Sequence, residues 1–486
     1  VKVAVNGVTQ FSGTTTNDFT NPVTYVVTAA DGTTQIYTVT INFTNNLWTW
    51  VSGTNAFLPR GTYGTKGIGS VNNIPGGRVE SILQLISNNV WLFGGNGYGT
   101  SASAGNINDL WQYNPSNNQW TWMGGPNIIN QRGTYGTQGT GSTSNIPGAR
   151  SIGVSWADSS GNFWLFGGSG FGVSGPPGRL NDLWKYSTSG ASAGQWTWVS
   201  GSNTTNAFAV YGSQGTGSSS NTPGARLGAI SWTDSNGNFW LFGGDGFVAS
   251  GGAGSLNDLW KYTPSNNQWT WVSGTNLTNQ LGIYGTQGIA SPGNMPGGRK
   301  LSQHWVDSSG NLWLFGGFGF GASGGSSFLN DLWKYTPSTN AWTWVGGTNL
   351  LNQVGIYGTQ GIGSTSNIPG ARYEGMSWVD SSGNFWLFGG LAVASTIPLN
   401  DDVINDLWIY APSTNKWTWV SGANVISQIG NYGTLGVGAT TNVPGARQAS
   451  SVGWTDGVGN LWVFGGAGYG TSSLTQSLND LWQYHY

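Results

Sequence analysis

The sequence contains no cysteine, which excludes disulfides, thiolate metal sites and cysteine nucleophiles together. Charge is nearly as scarce. Asp, Glu, Lys and Arg make up 7% of the 486 residues, where an ordinary globular chain carries roughly 25%. The formal net charge is −2 and Lys and Arg form no run. Without a basic patch to neutralise phosphates, nucleic acid is excluded as a partner. No stretch approaches the roughly 20 apolar residues that cross a bilayer as a helix. Histidine occurs only at 304 and 485, with no His-x-x-x-His spacing for a metal, so no cofactor is expected. Val1 shows neither an initiator Met nor a signal-peptide pattern, and the chain reads as the processed part of something longer.

What is abundant is Gly, 83 residues, and aromatic side chains, 14% of the chain. A disordered Gly/Ser chain would lack that bulk. Short aromatic strands divided by Gly turns account for both, which is an all-β reading.

The strands repeat. Asn-Asp-Leu-Trp places its Asp at 109, 182, 258, 331, 406 and 480, in steps of 73, 76, 73, 75 and 74 residues. Trp-Thr-Trp begins at 48, 120, 196, 269, 342 and 417, and Pro-Gly-Gly/Ala-Arg ends at Arg78, Arg150, Arg226, Arg299, Arg372 and Arg447. In the third repeat, residues 226–232 predict a first strand and Asp234-Ser-Asn-Gly237 a turn. Residues 239–242 predict a second strand ended by Gly243-Gly244, 259–262 a third, and 269–272 a fourth. Six sheets of four antiparallel strands make a six-bladed propeller. The first Trp-Thr-Trp precedes the first Arg motif and the chain ends at a third strand, so strand 47–51 is expected to complete the last blade and leave no open edge.

These residues resemble the Kelch repeat: an Arg opening the first strand, a Gly-Gly pair after the second, and Asn-Asp-Leu-Trp-x-Tyr in the third. The resemblance spans 46–486 and recurs six times. Kelch repeats usually run about 50 residues, and the excess here lies mainly between the fourth strand and the next first strand, as in 273–298. Residues 1–45 differ. The run from Asp18 through Asn21-Pro22 and Asp31-Gly32 to Thr40 looks like the closing half of a bacterial Ig-like surface repeat, with 24–28 and 35–41 alternating as strands do. A whole sandwich of this kind needs about twice the length. Its other half lies upstream or on another chain.

Repetition also tests candidate chemistry, because a residue present in every repeat serves the blade first. All 29 Trp fall at repeated positions, which reads as packing rather than a sugar platform. Asp158, Asp234, Asp307, Asp380 and Asp456 sit in the first turn, where an Asp bonds its own backbone. The six motif arginines read as structural tethers. Only two glutamates exist, Glu80 and Glu374, each two residues after a motif Arg. Both are expected to face the axis, where a carboxylate can do acid–base work on a sugar. Asp401 and Asp402, in the long loop 391–405 of the fifth repeat, are a weak calcium candidate. Long loops share one face and carry Gly-x-Gly-aromatic tips at Tyr98, Phe171, Phe247, Phe320 and Tyr469, the expected ligand-binding residues. Tyr63, Tyr135, Tyr211, Tyr284, Tyr357 and Tyr432, one per longer loop, are expected to pin that loop to its blade.

The expectation is a non-enzymatic extracellular protein of a bacterial surface. In it a terminal propeller head on an Ig-like stalk serves adhesion, glycan binding or protein assembly. Its partners would be a glycan or a surface protein, with self-assembly through the N-terminal segment as a further route. The Kelch resemblance also implies an alternative, a carbohydrate-active enzyme such as a sialic-acid mutarotase using Glu80 or Glu374 with channel arginines. A subunit of an extracellular filament or sheath is the third reading.

Overall fold

The structure, a computed structural model, describes residues 1–11, 15, 23–39, 46–55, 59–393, 401–448 and 452–486. The chain divides into two compact units, Val1–Leu47 with Tyr486 and Trp48–His485. Both are built from antiparallel strands. The single helical element among the described residues is a 3-10 turn at Gly190–Ser192.

The N-terminal unit is a four-stranded sheet in the order Val8–Thr9, Lys2–Val5, Val23–Thr28, Thr34–Val39. Its register places Val5, Tyr25 and Tyr37 side by side, so alternation makes one face apolar. Residues 18–22 and 40 of the segment read as an Ig-like half lie outside the described residues.

In the second unit each repeat builds sheet from the strands that the motifs predict, with three differences. First, the first strand is broken: Arg226–Leu227 and Ile230–Thr233 both pair with the second strand, on either side of Gly228, whose φ is +63°. Second, Gly243-Gly244 does not end the second strand, which runs Phe239–Phe247. With φ of +66° and +95° the pair makes a bulge, and the register shifts between Phe242 and Gly244. Third, part of the fifth-repeat loop is paired strand, Leu391–Val393 against Asp401–Val403; residues 394–400 between them lie outside the described residues.

The long connections explain why the repeats are long. Gly141–Ser142 pairs with Trp196–Ser200 and Gly217–Ser218 with Gln268–Ser273, so each covers the outer edge of the sheet it precedes. In the last sheet the order is Arg447–Gln448, Leu461–Tyr469, Thr475–His485, Leu47–Ser52. The edge position belongs to the N-terminal strand, and Trp48 bridges Ala439 of the preceding connection.

Neighbouring repeats hold each other through aromatic layers. One buried cluster joins Trp156, Trp164 and Phe166 of the second repeat to Phe239, Trp260 and Trp269 of the third. No sheet could bury that face alone. The first strands also touch in succession, from Ile82–Ile86 through Val154–Ala157, Ile230–Thr233, Gln303–Val306 and Met376–Val379 to Val452–Thr455, which returns to Ile82–Ile86. An outer belt follows the same course. Asn108 Nδ2 donates to the Pro147 carbonyl at 3.0 Å, and its counterparts continue until Asn479 donates to Pro75 at 3.3 Å.

Candidate functional site

The first strands of the first five repeats line a cavity of about 580 Å³. Glu80 and Glu374 line it, with Gln84, His304 and the seryl hydroxyls of 155, 231 and 377. No Arg or Lys is among its lining residues. All three serines are turned to their neighbours: Ser155 donates to Leu83 O at 2.6 Å, Ser231 to Ser155 O at 3.4 Å and Ser377 to His304 O at 3.2 Å. They tie strands together and are not paired with a base.

The glutamates sit where the first strand is broken, and the backbone there is left-handed in repeat after repeat. The φ values are +59° at Glu80, +56° at Ile152, +63° at Gly228, +59° at Leu301 and +55° at Glu374. A β-branched residue such as Ile152 adopts this region only under constraint. The constraint is a collar of backbone bonds across repeats. Ile152 N–H donates to Glu80 O at 3.0 Å, Gly228 to Ile152 O at 3.0 Å, Leu301 to Gly228 O at 2.8 Å and Glu374 to Leu301 O at 3.0 Å. The sixth repeat's counterpart, Ala449, is outside the described residues. The collar carries carboxylates in the first and fifth repeats and aliphatic or no side chain between. Burial pushes the Glu80 carboxyl above the usual range, partly offset by its hydrogen bond to Ser151. Burial holds His304 down at about 4, so the imidazole is neutral at physiological pH.

The motif arginines point away from this cavity and into the sheets. Arg226 gives Nη1 to Asp258 Oδ1 at 2.7 Å and Nη2 to Oδ2 at 2.8 Å, while Tyr211 OH and Trp260 Nε1 reach the same Oδ2 at 2.8 and 2.7 Å. The guanidinium also donates to the carbonyls of Gly224 and Gly243. The same arrangement recurs in every repeat, with arginine and aspartate side chains at most 1% exposed. Each loop tyrosine is thereby pinned to its sheet. Sequence reasoning left the motif Asp without a role. The signal was there, since Tyr, Arg and Asp keep the same phase in every copy. In the first turn, Asp234 Oδ1 accepts from the Asn236 and Asn238 N–H groups at 3.0 and 2.9 Å, and Oδ2 accepts from Trp240 Nε1 at 2.8 Å.

The aromatic residues expected at loop tips, Tyr98, Phe171, Phe247, Phe320 and Tyr469, are half-buried at or just past the ends of second strands. Arg179 lies 5.5 Å above the Phe247 ring, and Tyr469 OH donates to Asp402 Oδ2 at 2.8 Å. Asp402 Oδ2 also accepts from Ser427 Oγ, so this carboxylate ties the fifth-repeat ribbon to the sixth repeat. Asp401 is exposed. Among the described residues no group of three or more His, Cys, Asp or Glu side chains is placed to hold a metal.

Residues 3–41 match the family described as "SGBP, N-terminal". The match lies in the first unit and leaves the repeats outside it. No curated protein matches the chain. Among similar solved structures is one titled "Structure of YjhT", 13% identical, covering 85% of this chain and 96% of its own at a TM-score of 0.49. No helix among the described residues is long and apolar enough to cross a membrane.

Proposed function

We propose that this protein binds glycans at a bacterial cell surface without transforming them. In this reading residues 46–486 form a six-bladed Kelch-type propeller closed by Trp48-Thr49-Trp50, and residues 1–45 are an Ig-like segment that carries it. The observation that carries the reading is the N-terminal match to SGBP, the surface glycan-binding proteins. The succession of first-strand contacts that returns to its start supports the closed propeller. Two features favour binding over catalysis: the motif arginines are consumed by buried aspartates, and the cavity presents hydrogen-bonding groups with no arginine beside its glutamates. Polar side chains beside apolar surface suit a polyhydroxylated ligand. Ligand contacts are placed on the long-loop face, where Tyr98, Phe171, Phe247, Phe320 and Tyr469 stand.

The test is a glycan array probed with the whole chain. Binding to at least one oligosaccharide is expected, and an empty array overturns the reading. One observation favours a second reading as a carbohydrate-active enzyme: Glu80, its proton affinity raised by burial, shares the cavity with Glu374. Proton NMR of N-acetylneuraminic acid separates the two. Accelerated exchange between its anomers, lost in Glu80→Gln/Glu374→Gln, would establish the enzyme.

A further inference from the structure

A position that serves only the sheet carries the same residue type in every repeat, and most positions here do. Besides the collar, a set of three does not. At the upper end of each sheet, just after the motif Arg, a first-strand residue pairs with one on the second strand, which pairs with one on the third. In the third repeat these are Leu227, Asp245 and Ser255. In the fourth they are Lys300, Phe318 and Phe328. In the fifth they are Tyr373, Leu391 and Val403. The first repeat has Val79, Asn96 and Asn106 instead. Their neighbours scarcely vary: Arg precedes the first of each trio, Gly precedes the second, and Leu or Ile follows the third. A constant frame that displays varied side chains on its long-loop face is how a scaffold carries a binding surface.

The varied residues form one connected surface between repeats. Asp245 accepts from Arg179 of the second repeat at 2.6 Å and from Lys300 of the fourth at 3.2 Å, and all three side chains are 20–29% exposed. Lys300 Nζ lies 5.8 Å from the Phe318 ring centre. Phe318 and Phe328 then meet Tyr373 of the fifth repeat at 5.7 and 5.1 Å. Beyond Tyr373 stand two carboxylates, Glu374 and Asp401. After burial, they are what push its phenol up to about 12. An aromatic floor thus continues into a hydrogen-bonding edge whose Lys300 ammonium has three N–H donors and gives one to Asp245.

Resting on the glycan-binding reading, we infer that this surface is the binding site and that it takes a neutral pyranose of a glycan chain. The sugar's C–H face lies on Tyr373 and Phe318, and its hydroxyls meet Lys300 and Asp245. An anionic sugar is disfavoured by the carboxylates beyond Tyr373. Neutral and sialylated oligosaccharides on one array, followed by titration calorimetry with the best neutral binder, test this. Tyr373→Ala and Lys300→Met should each weaken binding about tenfold or more. Tyr373→Phe should stay within about threefold, and Val458→Ala, at an exposed turn of the sixth repeat, within about twofold. Unchanged thermal midpoints separate lost binding from lost fold; if Tyr373→Ala unfolds, Lys300→Met carries the test. Binding of neutral sugars by Lys300→Met and folded Tyr373→Ala at wild-type strength overturns the inference and leaves the glycan-binding reading standing. So does binding of sialylated probes alone. An array with no binding at all overturns both.

Discussion

Replacing Arg226 by Met removes the positive charge paired with Asp258, a carboxylate that is 0% exposed. Asp258 keeps its hydrogen bonds from Tyr211 and Trp260, but its charge is no longer compensated. Breaking a buried pair from one side costs about 3–5 kcal/mol. The carbonyls of Gly224 and Gly243 also lose a donor, at about 1–3 kcal/mol each when fully buried. These terms overlap rather than add, so a loss of about 4–5 kcal/mol is expected. The diagnostic comparison is Arg226→Met/Asp258→Asn. It removes the orphaned charge and keeps an amide oxygen for Tyr211 and Trp260, so it should recover about 2 kcal/mol relative to Arg226→Met. Arg179→Met, which breaks the partly exposed pair with Asp245, should cost no more than about 1 kcal/mol. Urea denaturation at pH 7, followed by tryptophan fluorescence, measures all three. If Arg226→Met loses less than about 1 kcal/mol, or the double substitution is the least stable of the set, the buried-charge argument is wrong.

Trp48 is 2% exposed and packs on Phe388 and Tyr484 at 5.3 and 4.9 Å. Trp48→Ala should therefore cost about 3–5 kcal/mol and open the Thr475–His485 edge to limited proteolysis; resistance equal to wild type would count against closure by this strand. His304 supplies a pH test. Its folded value of about 4 lies below the ordinary 6.5, so on acidification the unfolded chain takes up the proton first. The stability due to neutral His304 is full above pH 6.5, erodes as pH falls towards 4, and levels off below, by up to about 3 kcal/mol. His304→Gln should flatten the stability profile between pH 4 and 6.5, and parallel profiles for the two proteins would refute the assignment.

Much of the architecture is legible in the residues because its causes are local. Turn formers such as Asp234 and Gly237 bond within a few residues, and Trp-Thr-Trp and Asn-Asp-Leu-Trp recur at a fixed phase. Strand order, and the need of the last sheet for Leu47–Ser52, follow from that phase. The aromatic residues of the loops were harder to place. Phe247 looked like a tip because Gly-Gly usually stops a strand, yet the pair forms a bulge and the strand continues through it.

The sequence alone determined the all-β class, the repeat and the partner of the C-terminal strand, since each depends on spacing along the chain. Tertiary structure decided what the ionisable groups do. It joined each motif Arg to an Asp 31 to 34 residues away and a Tyr from the preceding connection. It bent Glu80 and Glu374 into a left-handed collar around a cavity, and it set Asp245, Lys300 and Tyr373 from three successive repeats along one rim. No periodicity could have paired the groups of the rim, because side chains more than 50 residues apart meet only when one sheet packs against the next.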